Sequence, residues 1–173
     1  MKQILKTAGI YPFVILGVFL LFSLHSCKFH NNMQTEGAPF LQGVWKQTAD
    51  PLHEELVHYE LHEFRFTCDS VYAVMHVRSK QKTVADACYR DGRWTEYAKG
   101  IYVVRGDSLV VDGIYTQPTG RQKISGCYRI GQYIPRFRIV RYTADSLYLE
   151  NKYNQVPIVL TKTDTVTCIP KPR

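Results

Sequence analysis

His58, Glu60 and His62 stand at alternate positions of one run. In an extended chain residues two apart share a face at about 6.5 Å spacing, so two imidazoles and a carboxylate line up where they can supply ligands to one divalent metal. Phe64 and Phe66 continue the same parity and turn that face inward. A metal needs a further donor from a neighbouring strand, and none is singled out. The set is a candidate metal site in a chain otherwise expected to need no cofactor. A second candidate is Arg138, next to Phe137 and on the parity of Val140. Turned inward, its guanidinium would pair with a carboxylate such as Glu60 or hold an anionic head group. Tyr102, Tyr115, Tyr128 and Tyr133 complete the list as aromatic lining for a ligand.

Patterned catalysis is not visible. The chain has no Gly-x-Ser-x-Gly, no His-Glu-x-x-His and no phosphate-cradling glycine loop, and the expectation is a non-enzymatic protein. A third reading, a metal-dependent enzyme with His58, Glu60 and His62 in its lumen, requires geometry to assemble what no motif displays.

The elements that must position these residues are strands. From residue 40 onward no ten-residue stretch keeps a helical apolar period, whereas period-two alternation rich in Val, Ile, Tyr and Phe recurs. Strands are predicted at 40–46, 56–66, 71–78, 84–89, 94–104, 109–116, 122–131, 136–142, 147–153 and 158–162. Two spacings support them. Asp69-Ser70, Asp107-Ser108 and Asp145-Ser146 recur every 38 residues, and Asp and Ser suit tight turns because their side chains bond nearby backbone N–H groups. Gly100, Gly113 and Gly126, each two residues before a tyrosine, recur every 13. Turns near 106 and 119 would pair Gly100 with Gly113 and Gly113 with Gly126, a row of glycines that lets a sheet bend sharply.

Register then sorts the faces. Ala98, Tyr102, Val104, Leu109, Val111, Tyr115, Ile124, Tyr128 and Ile130 fall inside. Lys99, Arg105, Asp112, Lys123, Ser125 and Arg129 fall outside with Ile101, Val103 and Ile114. The fold class is all-β: an antiparallel up-and-down meander of about 8–10 strands that must close to hide its edges. Gly43-Val44-Trp45 on the first strand, followed by this meander, resembles the lipocalin-like barrels of bacterial lipoproteins. The resemblance implies a lumen that carries a small apolar or amphipathic ligand. The competing expectation is an envelope interaction protein that docks a partner on Ile101, Val103 and Ile114, its barrel a scaffold.

The chain's start carries an address. Lys2 and Lys6 precede an apolar run from Ile10 to Leu24, too short and too interrupted by Pro12 to span a bilayer as a helix. Leu24-His25-Ser26-Cys27 resembles the lipobox of bacterial lipoproteins, which implies cleavage before Cys27 and acylation of Cys27. The organisation expected is a signal peptide at 1–26, a lipidated cysteine and tether at 27–39, the barrel at 40–163 and a polar tail at 164–173. The expected partner is the membrane, through Cys27, in the bacterial cell envelope and at the outer membrane. Removing Lys2 and Lys6 lowers the formal charge from +7 to +5. The basic residues are dispersed, which argues against nucleic acid. Cys68, Cys88, Cys127 and Cys168 remain, an even number that permits two disulfides in an exported chain, with three connectivities open.

Overall fold

The computed structural model describes residues 33–151 and 156–172, so the expected leader and Cys27 lie outside it. Eight strands form a closed antiparallel meander: β1 (Gly43–Gln47), β2 (His58–Thr67), β3 (Ser70–Ser79), β4 (Arg93–Arg105), β5 (Ser108–Thr116), β7 (Arg136–Tyr142), β8 (Ser146–Asn151) and β9 (Pro157–Asp164). A two-residue strand, β6 (Gln132–Tyr133), adds to β5. Each strand of the eight pairs with its neighbours in sequence, and β9 returns to pair with β1. Closure removes the free edges that a meander would otherwise expose.

The register gives the barrel two distinct ends. At one end lie the β2–β3, β4–β5 and β7–β8 turns, and the 38-residue spacing marks all three. The carbonyl of each spaced aspartate accepts from a backbone N–H of a nearby strand: Asp69 from Tyr102 (2.8 Å), Asp107 from Ile139 (2.6 Å) and Asp145 from Lys162 (2.9 Å). Residues 33–42 run across this end and seal it. Gln42 accepts from the Cys68 N–H and donates to the Cys68 carbonyl, both at 2.8 Å. The Tyr102 hydroxyl donates to the same carbonyl (2.8 Å) and accepts from the Ala38 N–H and from Gln42. Asp69 holds Thr35 through both its N–H and its hydroxyl. Cys68 is joined to Cys168, Cα atoms 4.8 Å apart, so the C-terminal segment is fastened here too.

Between the ends the interior is filled. Trp45, Phe64, Phe66, Met75, Tyr102, Leu109, Phe137, Leu147, Leu149 and Leu160 pack as one cluster, with Leu41 beneath them. Gly100 does face Gly113. A Cβ on Gly100 would lie 2.4 Å from the Asp112 carbonyl and 2.6 Å from the Gly113 Cα, so only glycine permits the two strands to approach this closely.

Two predicted strands are absent. Residues 122–131 are not a strand: Gly113 pairs with Tyr133 instead of Gly126, and Ile124, expected inside, is 77% exposed. Gly126, Tyr128 and Gly131 all have positive φ, which breaks the extended conformation, and a disulfide from Cys127 to Cys88 draws this segment over the barrel. Residues 84–89 give a short helix, α2 (Asp86–Tyr89), in the loop that the same disulfide ties. An earlier helix, α1 (Pro51–Glu55), covers the β1–β2 connection, with Asp50 and His53 forming a reciprocal N-terminal cap.

Candidate functional site at the open end

The end opposite the seal carries the polar interior. On β2 the inward parity reads His58, Glu60, His62, and two strands away on β4 it reads Trp94, Glu96, Ala98. The crossing segment 117–131 delivers Arg129 between them. Arg129 donates from Nε (3.0 Å) and from its backbone N–H (3.2 Å) to one oxygen of Glu96, and its Nη2 forms an ion pair with Oε1 of Glu60 at 3.1 Å. Its guanidinium also lies over the Tyr115 ring at 5.3 Å. Burial opposes the Arg129 charge, but the Glu96 hydrogen bond and the two carboxylates outweigh it and raise the pKa further. Glu96 is only 4% exposed, and its other oxygen accepts from the Trp94 indole at 3.0 Å.

Arg129 depends on the staple. Cys88 and Cys127, Cα atoms 5.6 Å apart, join the two loops that cross the open end. Tyr128, next in sequence, stacks flat on Trp94 with centroids 4.8 Å apart and donates its hydroxyl to the Cys88 carbonyl. Between the staple and the rim is a cleft of about 520 Å³. Its walls are Trp94, Tyr128, Val84 and Ala85, and its polar groups are His58, Glu60, Glu96 and Arg129. A smaller hollow of about 90 Å³ adjoins it at His58 and Glu60 and reaches Gln47, His62 and Ile158.

His58, Glu60 and His62 thus share one side of β2, as alternation requires, with the carboxylate between the imidazoles. Glu60 lies 3.6 Å from His58 Nε2 and 4.0 Å from His62 Nε2. No group of three or more His, Cys, Asp or Glu among the described residues is arranged to hold a metal ion. One Glu60 oxygen already has a guanidinium as its cation. His62 is largely buried, and burial pushes its pKa down to about 4, leaving it neutral at pH 7.

The other candidates separate. Tyr102 sits at the sealed end with its hydroxyl fully engaged, and Tyr128 is on the staple; only Tyr115 lines the barrel beneath Arg129. Arg138 points outward, its side chain 60% exposed and paired with Glu150. The inward parity of β7 is that of Phe137 and Ile139, and the bulge between Ile139 and Arg141 shifts the pairing beyond it. Arg129, expected on the outer face, is the arginine that meets Glu60.

Sequence reasoning missed Glu96, Trp94 and Gln47. Glu96 was accessible to it, since it shares the inward parity of Ala98. Tyr133 packs edge-on against Tyr115, and its hydroxyl, in a residue 5% exposed, has no hydrogen-bond partner among the described residues. Burial and the nearby Tyr115 and Glu60 raise its pKa. Comparison with protein-family models, curated proteins and solved structures finds no match for this chain.

Proposed function

We propose that this chain is a lipid-anchored lipoprotein of the bacterial envelope whose lipocalin-like barrel binds a small amphipathic molecule at its open end. The observation that carries this reading is the cleft of about 520 Å³, within the size range of small-molecule sites and combining apolar aromatic walls with a few convergent polar groups. The ligand is placed at the rim and not deep in the lumen, because the core side chains fill the lower barrel. The lipobox resemblance supports the anchor at Cys27, six residues before Met33 at the sealed end. An anchor joined there leaves the cleft at the other end of the strands. Several acyl chains on one cysteine hold a domain stably, whereas a single chain holds it only marginally.

Native mass spectrometry and solvent extraction of the full chain, purified from an exporting bacterial host, test both halves. The expected results are an acylated peptide beginning at Cys27 and a co-purifying small amphiphile that is lost when Trp94 and Tyr128 are both replaced by Ala. An uncleaved N-terminus overturns the anchor. A bare protein that takes up no amphiphile on challenge overturns the carrier reading.

A second reading has its own observation. Tyr72, Ile101 and Val103 are exposed on the outer faces of β3 and β4, beside a shallow hollow over Gly100 and Gly113. An apolar patch of this kind suits a docking partner. Crosslinking from position 103 that captures no envelope protein counts against it.

A further inference from the structure

The hydrogen-bond pattern of the open end assigns the chemistry of the ligand's head group, an inference that rests on the binding reading above. The backbone N–H of His62 donates to Gln47 Oε1 at 3.1 Å. A backbone N–H is only ever a donor, so the Gln47 amide can be oriented in one way alone. Its nitrogen therefore faces His53 Nε2 at 3.3 Å. The same Gln47 oxygen lies 3.2 Å from His62 Nδ1, so His62 carries its hydrogen on Nδ1. A neutral imidazole of that tautomer has a bare lone pair on Nε2.

That lone pair faces Glu60 Oε2 at 4.0 Å. Two acceptors confront each other there, and no described side chain donates to either atom. The other Glu60 oxygen is taken by Arg129. A nitrogen about 2.9 Å from each acceptor fits the gap, provided that it carries at least two hydrogens. The unpartnered Tyr133 hydroxyl, buried within electrostatic reach of Glu60 and Arg129, is a second polar group awaiting a partner in the same region, and buried polar groups are normally satisfied. Glu60 and Glu96 outnumber Arg129 on the floor, while Lys123 lies on the far side over Tyr128. Glu60 and His58 line both hollows, so a head between Glu60 and His62 can continue into an apolar chain against Trp94 and Tyr128.

We propose that the gap between Glu60 Oε2 and His62 Nε2 is a head-group site for the primary ammonium of an amphipathic amine. The full chain is titrated at pH 7 with hexylamine, hexyltrimethylammonium, hexanol and hexanoate, reading tryptophan emission. Trp45 is fully buried, so the response reports Trp94, and Trp94→Phe measures any partition elsewhere. Hexylamine is expected to bind at least about ten-fold more tightly than hexyltrimethylammonium, which has the charge but no hydrogens to donate. Glu60→Gln is expected to weaken hexylamine about ten-fold and leave hexanol unchanged. Equal binding of the primary and quaternary amines overturns the proposal. Tightest binding of hexanoate overturns it too, and would make Arg129 the head-group contact while leaving the carrier reading intact. No Trp94 response to any of the four probes overturns both.

Discussion

The two ends of this barrel are built from the same materials and differ in one respect. Each has a disulfide, a buried tyrosine, a glutamine that bridges two segments, and a loop laid across the strands. At the sealed end every hydrogen-bonding atom of Tyr102 and Gln42 is used within the protein. At the open end no described side chain donates to His62 Nε2 or Glu60 Oε2, two acceptors 4.0 Å apart, and the buried Tyr133 hydroxyl has no hydrogen-bond partner among the described residues. A paired polar group contributes about 1 kcal/mol, whereas an unpaired buried one costs more than that. Complete pairing therefore marks structure, and incomplete pairing marks the place where something else binds.

Changes at the sealed end should act on stability and changes at the open end on binding. The largest effect is expected from Cys68→Ser with Cys168→Ser, which opens a link between residues 100 apart. Urea unfolding should show a loss of about 2–5 kcal/mol, with Trp94 still responsive to hexylamine in the folded fraction.

His62 gives the next. Its folded pKa lies near 4 and its ordinary value near 6.5, so the unfolded chain binds more protons between those values. Its contribution is complete above pH 6.5 and is lost as pH falls towards 4, by about 3 kcal/mol. Unfolding curves across this window for the wild type and His62→Gln should differ by that slope. Parallel curves would place His62 in solvent.

Cys88→Ser with Cys127→Ser sharpens the contrast. Its loops cover the core without belonging to it, so a loss of about 2 kcal/mol is expected. Trp94 emission should nevertheless stop responding to hexylamine, because Tyr128 and Arg129 are no longer held against β4.

The sealed end was largely legible in sequence and the open end only in part. The Asp-Ser spacing located three turns of one end, and alternation placed Phe64, Leu109 and Val111 correctly, because a buried strand face leaves a period of two. Gly100 against Gly113 followed from the same arithmetic. The next step to Gly126 failed because Cys127 is bonded to Cys88, and a covalent tie between distant residues has no period. Arg129 was lost with it. Arg138 was misplaced by one position, since a bulge later in β7 disrupts the parity from which it was judged. Alternation did place His58, Glu60 and His62 on one side of a strand. It carried no information about the guanidinium that reaches Glu60 from outside the sheet.

The most direct test compares two tyrosines that differ only in their partners. Urea unfolding of Tyr102→Phe and Tyr133→Phe removes one hydroxyl from each end. Tyr102→Phe should lower stability by about 1.5 kcal/mol, because the Cys68 carbonyl and the Ala38 N–H lose a partner. Tyr133→Phe should raise it by about 1 kcal/mol, because an unsatisfied buried hydroxyl disappears. Opposite signs are the prediction. Equal losses at both positions would mean that the open end is as fully paired as the sealed one, and would contradict the account.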